Sequence, residues 1–184
     1  FNSLSLSFSS FPTAPPIMCF TIPTFDDTKG TPEAIASVKE IGRFSFYEIS
    51  SGGSVQLPPS VIYIGESAFA HTIISQIILK DKIVEIGKSA FAWSYVKRID
   101  MPDSVIQLGE SVFCDCKNLE YIRLSSSLQT IEENTFKNCE KLNHVHIPEG
   151  VKKIKKDAFR YCKQLTDIYL PDSLEKIEEG AFAY

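Results

Sequence analysis

The chain has 184 residues, 43% of them hydrophobic and 23% charged, with a net charge of −4 at neutral pH and a pI near 5.4. That length and apolar fraction suffice for one core, and the acidic balance argues against a general nucleic-acid binder. No apolar run approaches the roughly 18 residues a transmembrane helix needs, so none is expected.

Residues 1–33 form an irregular leader rich in Ser, Pro, Thr and Phe, in which the first basic residue is Lys29. A secretory signal needs a charged start and an unbroken apolar core. Here Pro12, Pro15, Pro16 and Pro23 interrupt the apolar stretch. The chain starts without Met and stops in mid-repeat at Tyr184, so it is read as a piece of a longer protein.

From residue 34 the chain is periodic. A degenerate first copy over 34–56 carries Val38, Ile41-Gly42, Phe46 and Val55, five full repeats occupy 57–169, and a truncated one covers 170–184. The marker is phenylalanine: Phe69, Phe91, Phe113, Phe136, Phe159 and Phe182 recur at intervals of 22, 22, 23, 23 and 23 residues. Self-similarity at such a period marks a stacked-repeat solenoid, in which one unit cannot bury its own apolar face and neighbours complete it. The repeated part, 34–184, is therefore expected to be a single solenoid.

Within each unit the apolar positions fall in columns. Val61, Ile83, Val105, Leu128, Val151 and Leu174 make one, and Ile64, Ile86, Leu108, Ile131, Ile154 and Ile177 the next. A closing segment such as Val96-Lys-Arg-Ile99-Asp-Met101 or Leu142-Asn-His-Val145-His-Ile147 alternates apolar and mostly polar residues, the mark of a half-buried strand. Pro102, Pro148 and Pro171 follow such segments and end them, since proline donates no ladder hydrogen bond. Each unit should be a coil of one strand, a turn, and a short extended or single-turn helical return. Gly42, Gly65, Gly87 and Gly109 share a position that Glu132, Lys155 and Glu178 occupy later, so glycine there is expected to be permitted rather than demanded.

The run L-x-x-I-x-[LIM]-P, S-[LV]-x-x-I, A-F and C-x-x-L resembles the BspA-like leucine-rich repeat, as in Pro102-Asp-Ser-Val105-Ile-Gln-Leu108 and Ala158-Phe159-Arg-Tyr-Cys162-Lys-Gln-Leu165. The resemblance implies a right-handed, mainly β solenoid with parallel strands along one face. It also implies a non-catalytic recognition protein, of a kind often found at cell surfaces as an adhesin.

No G-x-G-x-x-G, Walker loop, H-E-x-x-H or G-x-S-x-G occurs, so no catalytic residues and no cofactor are expected. Cys116, Cys139 and Cys162 share one repeat position. Buried thiols packed as small apolar groups suit that column better than bridges, although stacked neighbours would bring the Cα atoms within disulfide range. Lys152, Lys153, Lys155, Lys156, Arg160 and Lys163 form a basic cluster, read as a solvated face rather than an anion site.

Function is expected on the outward strand positions. Arg98, Tyr121, His144 and Asp167 should stand in one column, with Asp100, Arg123, His146 and Tyr169 beside it. Tyrosine and arginine favour binding hot spots. The competing reading is that cross-strand pairs such as Asp100–Arg123 only satisfy one another. His144 and His146 with Asp167 lack a third close ligand at a recognised spacing, so no metal is expected. The partner is read as a protein or a glycan met at the cell surface, the alternative being a cytosolic protein bound by an intracellular scaffold; a structural spacer is a weaker third reading.

Overall fold

The computed structural model describes residues 39–43, 45–46 and 53–184. The leader with Cys19, the boundary at residue 33 and Val38 lie outside the described residues.

Among the described residues, thirteen short strands alternate between two faces of a coil. The longer ones are β2 (Gly53–Gln56), β4 (Ile74–Ile78), β6 (Arg98–Asp100), β8 (Tyr121–Arg123), β10 (His144–His146) and β12 (Asp167–Tyr169), which pair in parallel as one sheet of six. Between them lie two-residue strands: β1 (Glu40–Ile41), β3 (Tyr63–Ile64), β5 (Glu85–Ile86), β7 (Gln107–Leu108), β9 (Thr130–Ile131), β11 (Lys153–Ile154) and β13 (Lys176–Ile177). These form two smaller parallel sheets, β1-β3-β5-β7 and β9-β11-β13. The fold is thus a parallel β-solenoid. Of the two forms foreseen for the return, the extended one is found: no helix occurs among the described residues.

The core is the set of columns legible in the sequence. Phe46, Phe69, Phe91, Phe113, Phe136, Phe159 and Phe182 stack face to face with centroids 4.7–5.5 Å apart and planes within 17°. Residues 61, 83, 105, 128 and 151 and residues 64, 86, 108, 131 and 154 are buried on either side of that stack. Stacked rings in a column remove one another from water, and alanine in place of such a ring costs roughly 3–5 kcal/mol.

What turns the chain around each ring is a pair of left-handed residues. Ser67, Ser89, Ser111, Asn134 and Asp157, two residues before successive phenylalanines, all have φ between 52° and 58°, and Gly180 has φ 68°. Two residues after, His71, Trp93, Asp115, Asn138 and Tyr161 have φ of 57–61°. Ser, Asn and Asp fill the first of these columns because their short polar side chains tolerate this region better than most. Between the two bends, the phenylalanine amide bonds to the next coil, as in Phe69 N to Ala90 O at 2.7 Å and Phe136 N to Ala158 O at 2.7 Å.

The glycine expectation needs correction. None of Gly42, Gly65, Gly87 and Gly109 has a positive φ, so backbone freedom is not their role. A Cβ added to Gly65, Gly87 or Gly109 would nevertheless meet the preceding coil's backbone at 2.4–3.0 Å, whereas at Gly42 the nearest atom among the described residues is the Ser45 hydroxyl at 3.5 Å. Glycine is demanded at three of the four positions, by close approach.

The column ends where the small sheet breaks. Gly65 N, Gly87 N and Gly109 N bond to Ile41 O, Ile64 O and Ile86 O at 2.7–2.8 Å, and Lys155 N and Glu178 N make the same bond to Ile131 O and Ile154 O at 2.9 Å. No such backbone bond joins Glu132 to Leu108 among the described residues. Glu132 is the first residue of this column to carry a Cβ, and the coil bringing it does not close against a neighbour spaced for glycine. The large sheet and the phenylalanine stack pass through this seam unbroken.

Candidate ligand face

Period-2 alternation turns Ile99, Ile122 and Val145 into the core and leaves Arg98, Asp100, Arg123, His144 and His146 exposed, with Tyr121 half-buried. β12 likewise exposes Asp167 and Tyr169. Parallel register aligns Arg98 with Tyr121, Tyr121 with His144 and His144 with Asp167. Beside that column Asp100 aligns with Arg123, and His146 with Tyr169. All eight residues expected on the strand face are therefore adjacent on one sheet.

Their contacts differ from simple cross-strand pairing. Arg98 forks onto Asp100 of its own strand at 3.0 and 3.2 Å, and its guanidinium lies 4.0 Å from the centre of the Tyr121 ring. Arg123 does not pair with Asp100. It reaches instead to Asp103 in the turn after β6, at 3.1 Å. The reason is competition: Arg98 already occupies both oxygens of Asp100, while Asp103 Oδ1, which also accepts from Ser126 N, meets no other guanidinium and accepts from Arg123. Hydrogen bonds from Ser126, and then Arg123, hold the Asp103 carboxyl below the usual carboxylate range.

Further along, His144 Nδ1 lies 2.8 Å from Asp167, and His146 packs edge-on against Tyr169 at 4.7 Å. The Tyr169 hydroxyl donates to Glu149 at 3.2 Å, which raises its pKa. The two histidines thus turn to different partners. Among the described residues, no group of three His, Cys, Asp or Glu side chains is placed to hold a metal ion.

Between β8 and β10 the face dips into a groove of about 420 Å³. Tyr121, Arg123, His144 and His146 line it, and Arg98, Asp100, Asp167 and Tyr169 flank it. The sequence reading missed the turn residues Asp103, Ser126 and Pro148, which form its rim. The available signal was the turn after each strand, since in a solenoid the turns stack as regularly as the strands.

The basic cluster is largely neutralised: Lys152 pairs with Glu175, Lys155 with Glu132, Arg160 with Asp157 and Lys163 with Glu140. Such in-register ion pairs recur between coils, as in Lys88–Glu110 at 2.8 Å and Lys117–Glu140 at 3.6 Å. The column cysteines are free thiols, and each donates to a phenylalanine carbonyl of the preceding coil: Cys116 to Phe91, Cys139 to Phe113 and Cys162 to Phe136, at 3.0–3.2 Å. Burial pushes Cys116 and Cys162 up to about 12 and Cys139 well above its ordinary value, so these are inert packing groups rather than nucleophiles.

Fold and face together define a leucine-rich-repeat solenoid with an open parallel sheet. The family model for the BspA type leucine rich repeat region matches in six copies over residues 25–98 and 84–184, and the chain belongs to that family. Such repeat proteins are generally non-catalytic binding modules, and no catalytic family is indicated. Among solved structures, the T. pallidum leucine-rich repeat protein is 30% identical with a TM-score of 0.71, covering 77% of this chain and 67% of that one. The pneumococcal vaccine antigen PcpA is 25% identical with a TM-score of 0.63, over 78% of this chain and 36% of that one. A leucine-rich repeat protein from Bacteroides ovatus is 26% identical with a TM-score of 0.59, over 77% of this chain and 43% of that one. The chain thus spans less than half the length of the last two. No curated protein matches. No helix among the described residues is long and apolar enough to cross a membrane.

Proposed function

We propose that the chain is a recognition module that binds a protein or glycan through its six-stranded parallel face, at the cell surface and in adhesion. The observation that carries this is the arrangement of the face itself. Arginine, tyrosine and histidine stand in two adjacent columns on a continuous sheet, held by neighbours in fixed orientations and open to solvent. Preorganised aromatic and guanidinium groups supply most of the energy of recognition surfaces, because little side-chain entropy is lost on binding. A surface location is supported by the likeness to PcpA, which is named a vaccine antigen.

The test of location is protease accessibility of the full-length protein on intact cells. Cleavage from outside fits the adhesive reading. Protection until lysis contradicts it and transfers the same face to a cytosolic partner.

A further inference from the structure

Resting on the reading of the sheet as a recognition face, we infer that the groove between β8 and β10 takes an uncharged saccharide rather than an ionic ligand or an extended peptide. Charge comes first. The guanidiniums and the first imidazole in and beside the groove already face carboxylates: Arg98 on Asp100, Arg123 on Asp103 and His144 on Asp167, all within 3.2 Å. An anionic ligand would have to displace a bound carboxylate. A cationic one would have to compete with the groups that hold it. A hydroxyl-rich neutral ligand needs neither exchange, because each hydroxyl both donates and accepts and can join these hydrogen-bonded pairs without breaking them.

Shape and backbone agree. Tyr121, with Arg98 over one face of its ring, and His144, His146 and Pro148 line an open depression of about 420 Å³. The negative face of an aromatic ring attracts the polarised C–H face of a sugar ring. A peptide read by strand addition requires an unpaired sheet edge. β8 and β10 lie inside the sheet, paired with each other and with β6 and β12, so the groove offers no such edge.

The test uses an array of immobilised neutral oligosaccharides built from glucose, galactose, mannose and N-acetylglucosamine, beside their sialylated and sulfated counterparts. Wild type should bind one or more neutral members. Tyr121→Ala and His146→Ala should each weaken that binding about tenfold or more, while Trp93→Ala, on a turn away from the groove, should leave it unchanged. Binding to none of the neutral members, or only to charged ones, would overturn the inference. Adhesion to glycan-bearing cells, assayed before and after periodate oxidation of their surface sugars, separates it from the broader reading. Binding that needs Tyr121 but survives periodate sinks the saccharide and keeps the face. Adhesion that ignores both Tyr121→Ala and His146→Ala sinks the face as well.

Discussion

The coils that carry Gly65, Gly87 and Gly109 and those that carry Glu132, Lys155 and Glu178 share the same core columns but meet their neighbours differently. In the first group the backbones approach so closely that a Cβ would lie within 3.0 Å of the adjacent chain. In the second a side chain fits, and Lys155 reaches across to Glu132 in an ion pair between coils. The turns change nearby, in the coil of Gly109 itself. The 22-residue repeats run straight from Ser94 through Tyr95 into Val96, with Tyr95 N bonded to Thr72 O in the preceding coil. The 23-residue repeats insert one residue after the cysteine and close a local turn instead, Leu119 N to Cys116 O at 3.0 Å and Leu142 N to Cys139 O at 3.1 Å. The two solutions meet at one seam in the small sheet, where a groove of about 430 Å³ opens beside Gln107, Gln129 and Thr130. The lesson is that the large sheet and the phenylalanine stack set the register of the whole, and the return side adapts to whichever residue it is given.

The largest expected effect is common to both groups. Phe136→Ala should lower stability by roughly 3–5 kcal/mol in denaturant melts, against about 0.5 kcal/mol or less for Glu133→Ala on the surface of the same coil. Equal losses would refute the stack as the core.

Next comes the substitution that separates the groups. Gly109→Ala should cost about 1–3 kcal/mol, because the added methyl overlaps the Lys88 and Gly87 backbone rather than a yielding side chain. Gly42→Ala, whose Cβ meets the Ser45 hydroxyl at an ordinary 3.5 Å among the described residues, should be neutral or stabilising by about 0.4–1 kcal/mol through the unfolded chain. If both substitutions behave alike, close approach does not distinguish the coils.

Smaller still is the local loosening expected at the seam. By hydrogen exchange, the Gln129 and Glu132 amides should exchange faster than their counterparts Lys152 and Lys155, which bond to Gln129 O and Ile131 O at 2.9 Å. Equal protection would mean that the ladder is continuous in solution.

The exposed ion pairs between coils should matter least, and mainly through pH. Lys88 holds the Glu110 carboxyl below its ordinary value, and Lys163 with Lys117 does the same to Glu140. A carboxylate whose folded pKa is depressed contributes stability above its unfolded pKa of about 4.3 and loses it as pH falls through the folded value. Lys88 and Lys155 are raised by Glu110 and Glu132, so their share is present below about pH 10.4 and lost as pH rises further. Tm should therefore be nearly flat from about pH 4.3 to about 8.5 and decline outside that window. The alkaline side falls first because the buried thiols of Cys116 and Cys162, pushed up to about 12 in the fold, ionise at about 8.5 once unfolded. Glu110→Gln should shift the acid limb only slightly. A Tm that rises on acidification below pH 4 would contradict the pairing.

Much of this was legible in the sequence, for a definite reason. A period transmits packing: once Phe69, Phe91 and Phe113 align, every other column is fixed, and the strand's period of two assigns Arg98, Tyr121, His144 and Asp167 to one side. What was not legible is what a period cannot carry. The replacement of Gly109 by Glu132 reads as tolerance in an alignment of repeats, yet in three dimensions it is a change of spacing. Arg123 and Asp100 are register partners, but Arg98 forks onto Asp100, and the long Arg123 guanidinium goes instead to Asp103. The left-handed bends at Ser89 and Trp93 follow from the demand to turn tightly around a buried ring, and the repeat pattern by itself did not reveal them.

Recognition by the large sheet can be tested on cells. Cell binding by a quadruple variant carrying Arg98→Ala, Tyr121→Ala, Arg123→Ala and His144→Ala should be compared with wild type and with a Trp93→Ala, Tyr95→Ala variant altered on the exposed turn, each first shown to melt cooperatively. The quadruple variant should lose binding about tenfold or more while the turn variant keeps it. Undiminished binding by the folded quadruple variant would contradict it.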